Sequence, residues 1–135
     1  MDRTKIAIEQ SIDHWERMIA FAKTQTKNVE TRSSHMQGII GESWFAIDCP
    51  LCKRFVSERS VCIRLKTHET CPLKKQYGKC GSDSYDSNTS NAWRKVFLAF
   101  TWQEWLDAAE KMVGQLKIIL KLRMEKNNKE KKNER

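Results

Sequence analysis

Apolar positions recur every three or four residues over two long stretches, one towards each end of the chain. Over residues 4–27, Ile8, Ile12, Trp15, Ile19 and Ala22 form a stripe that Ile6, Met18 and Phe21 widen, with Glu9, Asp13, Glu16, Arg17, Lys23 and Lys27 opposite. That period matches the turn of an α-helix and predicts an amphipathic one. His14 falls beside the stripe and reads as a surface or boundary residue. In the second stretch, Trp105, Leu106, Ala109, Met112, Val113, Leu116, Ile119 and Leu120 repeat the pattern. Thr101-Trp102-Gln103-Glu104 stands before it as a capping box, the hydroxyl accepting a backbone N–H while the carboxylate reaches back. Gly114 costs about 1 kcal/mol inside a helix relative to alanine, and is expected to let the other helix approach closely.

Between the two stripes the periodicity breaks up. From Thr24 onward the chain turns polar, and Ser33-Ser34-His35 with the glycines at 38 and 41 reads as a connector. Ser43-Trp44-Phe45-Ala46-Ile47 suits a strand or extended segment, and Phe55-Val56 with Val61 to Leu65 suits a small hairpin. Gly81 to Asn91 is a loop by composition, and a short helix is expected from about Asn91, with Trp93, Val96, Phe97 and Phe100 on one side. The fold class expected is mainly α: two long amphipathic helices packed together, with a zinc-stapled loop or small hairpin region inserted between them. Residues 1–124 form the domain, the metal loop occupies 49–80, and 125–135 is a basic tail without an apolar face, expected to be disordered.

The metal expectation comes from the cysteines. All five lie between 49 and 80, and Cys-Pro-Leu occurs twice, at Cys49-Pro50-Leu51-Cys52 and at Cys71-Pro72-Leu73. Two thiolates separated by two residues reach one zinc ion from a single turn, and a second pair completes the tetrahedron. Cys49, Cys52, Cys71 and Cys80 form the first donor set; His68, three residues before Cys71, is the alternative fourth ligand. Cys62 reads as a buried thiol that could substitute as a ligand. Disulfides fit poorly, because the count is odd and no secretory signal is evident at the start. A thioredoxin-type redox pair would need a βαβ context that the flanking residues do not supply.

Charge sharpens the picture. The formal net charge of the 135-residue chain is +8. Residues 49–80 hold eight basic and two acidic groups, and 121–135 hold seven and three, so the excess sits in the metal loop and the tail. Lys53, Arg54, Arg59, Arg64, Lys66, Lys74, Lys75 and Lys79, with Phe55 and Tyr77 among them, form a pattern suited to phosphate contact and base stacking. A solvated basic face beside thiolates would look the same. No run of about 20 apolar residues is present, so no membrane span is expected. Thiols without a leader point to a reducing cytosol.

Several of these features occur together in a recognisable order. Ser11-Ile12-Asp13-His14-Trp15-Glu16 in a first helix, then Cys-Pro-Leu-Cys, Cys-Pro and Gly-x-Cys, then a tryptophan and a closing helix, resembles small cysteine-cluster proteins encoded by tailed bacteriophages. In that family a Cys-x-x-Cys-Pro matches the second turn; here His68 stands at the first of those cysteines, which favours it as a ligand. The resemblance covers most of residues 5–122 and implies a virus-encoded accessory protein acting in the bacterial host cytosol.

No catalytic zinc pattern is found. His68-Glu69 lacks a second histidine four residues on, and Cys49 to Cys52 lacks an upstream His-x-Glu. The expectation is a non-enzymatic zinc protein that binds and modulates a bacterial host or defence protein, with Trp44, Tyr77, Tyr85 and Trp93 as anchors and Trp15, Trp102 and Trp105 in the core. The alternative is nucleic-acid binding through Lys53, Arg54, Arg64, Lys74, Lys75, Lys79 and Tyr77. Self-association through the second long helix is also open.

Overall fold

A computed structural model describes residues 2–44, 49–55, 71–77 and 92–133. Six helices form within them: α1 Arg3–Ala22, α2 Ser33–Ile40, α3 Pro50–Phe55, α4 Pro72–Tyr77, α5 Ala92–Leu98 and α6 Trp102–Asn133. No strand forms among the described residues; a single bridge pairs Glu30 with Thr101. The mainly helical class and the packing of α1 on α6 agree with the periodicity.

α1 begins where Asp2 accepts from the amides of Thr4 and Lys5, each at 3.1 Å. Side-chain capping of this kind satisfies amides that have no partner within the helix. The same carboxylate takes the Arg123 guanidinium at 2.7 Å and the Asn127 amide at 2.9 Å, tying the start of α1 to the far part of α6. α1 ends at Ala22, five residues short of the extent that its polar–apolar pattern suggests. There the Thr24 hydroxyl donates to the Phe21 carbonyl at 2.6 Å and the next amides close tight turns. A local side-chain bond of this type competes with helix propagation.

The core lies along the α1–α6 seam and is rich in tryptophan. Trp15 stacks on Trp105 at 6.2 Å, and Trp44 packs on Trp105 at 5.4 Å and edge-on to Trp102. Phe21 meets Trp102 at 5.9 Å. Such pairs add about 0.5–1.5 kcal/mol each beyond area burial. Trp44, expected as an anchor for a partner, is therefore core.

Three further expectations are corrected. Residues 33–40, read as a connector, form α2: Met36 is fully buried, and Gly41 in the left-handed region (φ 71°) ends the helix with its amide on the Gln37 carbonyl. Gly114 does not admit α1, since a Cβ there would meet nothing within 4 Å. α6 continues as helix to Asn133, through most of the stretch expected to lack order. Arg123 and Asn127 hold it to Asp2, and its Glu and Lys residues are good helix formers. Ser43 and Trp44 belong to no strand, while 45–48, the rest of the expected hairpin at 56–65 and the loop at 81–91 lie outside the described residues.

The capping box at Thr101 forms with one displacement. Glu104 donates its amide to the Thr101 hydroxyl at 3.3 Å, but its carboxylate accepts from Phe100 at 3.0 Å, one residue earlier than the usual pairing. The first two amides of α6 go elsewhere: Trp102 donates to the Val29 carbonyl and Gln103 to the Lys27 carbonyl. Thr31 returns an amide to Phe100, so 27–31 and 99–103 form one seam. Inside the bundle, buried Gln115 accepts from the Ala92 amide at 2.9 Å and so caps α5.

Candidate metal centre

The repeated tripeptide is also a repeated structure. Cys49 and Cys71 each stand directly before a proline that starts a six-residue helix, and Leu51 and Leu73 follow at the second position. Proline suits the first helical position because its φ is already helical and no amide is wanted there. Both cysteines are buried thiols, and both leucines are 1% exposed. The turns dock on opposite members of the long pair, α3 on α1 and α4 on α6.

The first turn is held by a residue that sequence reasoning missed. Ser11 on α1 is fully buried; its hydroxyl accepts from the Leu51 amide at 2.9 Å and lies 3.5 Å from the Cys49 sulfur. The hydroxyl keeps its proton and a second lone pair, so it can donate to a Cys49 thiolate that a metal would hold or accept from the thiol. The available signal was positional: Ser11 is a polar residue inside the apolar stripe, three after Ile8 and four before Trp15. Further along α3, Arg54 donates to the buried Thr4 hydroxyl at 2.8 Å.

His14 is not at the boundary, as its position beside the stripe suggested, but 2% exposed. Its Nδ1 meets Glu42 at 3.2 Å, and Arg17 donates to both Glu42 oxygens at 2.8 and 2.9 Å. The Arg17 guanidinium, then the His14 contact, holds the Glu42 carboxyl below its usual range against the opposing effect of burial. A carboxylate paired with arginine is acceptor-only, so Nδ1 carries the proton in this contact, and Nε2 is buried with no hydrogen-bond partner among the described residues.

Cys52 lies in α3, whereas Cys62, His68 and Cys80 fall outside the described residues. Among the described residues, no three His, Cys, Asp or Glu side chains gather as a metal site. Of the residues offered for nucleic acid, Lys53, Arg54, Lys74, Lys75 and Tyr77 lie in α3 and α4, and Arg64 and Lys79 lie outside. Arg54 is engaged with Thr4, Tyr77 packs against the core and Lys75 is exposed.

No family model matches the chain, and neither a curated protein nor a solved structure matches it. No helix among the described residues is long and apolar enough to cross a membrane.

Proposed function

We propose that this chain is a non-catalytic zinc protein whose metal ties two short helices to a helical body that presents an apolar surface to a protein partner. The observation that carries it is the shared position of Cys49 and Cys71, buried thiols that open two helices docked on opposite members of the long pair. Cys49, Cys52, Cys71 and Cys80, or His68 in place of Cys80, would hold one Zn²⁺. The ion would supply cross-linking and no chemistry on a substrate.

The docking surface is the apolar end formed by Val29, Phe97, Leu98 and Phe100, which are 49–64% exposed along the 27–31/99–103 seam and the end of α5. Exposed aromatics grouped in this way are typical of interaction sites. Following the phage resemblance, the partner is a host or defence protein of the bacterial cytosol. Nucleic-acid binding is second, because Arg54 and Tyr77 are engaged in the fold itself.

Metal analysis of the purified protein should return one zinc per chain and much less after Cys71→Ser; a metal-free native protein would end the zinc reading. In pull-downs from bacterial lysate, the captured partner should be lost with Leu98→Asp and Phe100→Asp and kept with a surface change such as Lys75→Glu. Retention on nucleic acid that falls steeply with salt would favour the second reading.

A further inference from the structure

One face of α6 is covered by no other element among the described residues, and its positions are complementary about a central residue. Ile118 and Leu122 on it are 49% and 45% exposed, and Gly114 has open space where a side chain would stand. Four residues before Ile118 is Gly114, and four after is Leu122. Seven before is Lys111, and seven after is Glu125. Eleven before is Asp107, and eleven after is Lys129. Each mirrored pair is complementary: a large apolar side chain with an empty site, then opposite charges twice.

We infer that this face joins two copies of the chain in an antiparallel helix pair, two-fold about Ile118, with Leu122 of each copy seated over Gly114 of the other. Such a two-fold places a residue n positions before the centre against the residue n positions after it in the second copy. Lys111 then faces Glu125 and Asp107 faces Lys129. A parallel pair would set lysine against lysine and aspartate against aspartate, so the charges select the antiparallel form. Lys117, beside Ile118, is drawn aside to Glu16 of its own α1 at 3.5 Å.

The receiving end is shaped for this. Lys95, Leu98, Ala99, Glu104, Asp107 and Lys111 line a cavity of about 450 Å³ between α5 and α6. Burial first, and the adjacent Lys111 second, holds the Lys95 ammonium below its usual range. Glu125 of the second copy brings a carboxylate to these two lysines, and Lys129 an ammonium to Glu104 and Asp107. The seven residues of α6 beyond Lys126 lie at and past the level of Asp2, where α1 begins, and gain a helical neighbour in the dimer.

Sedimentation of the full-length protein over a range of concentrations tests this. A reversible monomer–dimer equilibrium is expected. Gly114→Leu should weaken it by about tenfold or more while raising the melting temperature of the monomer, because the new side chain meets nothing in its own fold and replaces a poor helix former. Lys111→Glu and Glu125→Lys should each weaken the dimer, and the double exchange should restore it. A protein that stays monomeric at all concentrations, a dimer indifferent to Gly114→Leu, or a double exchange no better than the singles would each overturn the inference.

Discussion

The two Cys-Pro-Leu turns start alike and are held by different means. The first is fastened by polar bonds: Ser11 takes the Leu51 amide, and Arg54 reaches Thr4. The second, docked on α6, has Leu73 buried and Tyr77 partly buried against the core, with Lys75 closing the first helical bond onto the Cys71 carbonyl at 2.9 Å. A turn bonded to a buried hydroxyl has its own register fixed by α1. Leu73 and Tyr77 hold the second turn by apolar contact, and the proposed zinc would add a tie between the two turns.

The largest effect that separates them should come from metal removal. Structural zinc sites contribute folding free energy directly, so strong chelator should abolish amide protection in α4 while α3 keeps part of its own; equal loss in both would erase the distinction. Next come the two leucines. Leu51→Ala and Leu73→Ala should each cost about 2–5 kcal/mol as cavities in a closed core. Denaturant unfolding checks those costs, and competition with a chelator should show Leu73→Ala weakening the proposed zinc site more than Leu51→Ala does. Ser11→Ala should cost about 1–3 kcal/mol, since it leaves the Leu51 amide buried without an acceptor. Ser11→Cys, which keeps a small polar group, should recover part of that loss.

The smallest effect is acid sensitivity, and it belongs to the first turn's side of the molecule. Glu42, on the approach to Cys49, and Asp2 both have carboxyls held below their usual range, chiefly by Arg17 and Arg123. Depressed folded values mean that the stabilisation is complete above the unfolded carboxylate range and is lost as pH falls through the folded values. Thermal unfolding should therefore be insensitive to these groups near neutrality and weaken below about pH 4. Asp2→Asn should flatten that slope, and an unchanged slope would show that the contact with Arg123 contributes little.

Much of the body was legible because α1 and α6 carry strict apolar stripes, and Thr101 with Glu104 announced where the second begins. What escaped was polar or short. His14 looks like a boundary residue in a count of apolar positions and Ser11 like a polar interruption of the stripe, yet their partners, Glu42 and Leu51, are 28 or more residues away. α2 buries only Met36 fully, too little for periodicity to reveal, although Gly41 marked its end. Spacing identified the thiols as a group but carried no information on which helix each turn would lean against.

The seam at the start of α6 has one last consequence. Because Lys27 and Val29 receive its leading amides, that end cannot unwind unless the link between α1 and α2 lets go as well. At the opposite end the last such tie among the described residues is the Asp2 grip on Asn127. In a single copy, thermal fraying of this helix is thus expected to run one way, inward from Asn133 to the Asp2 clasp.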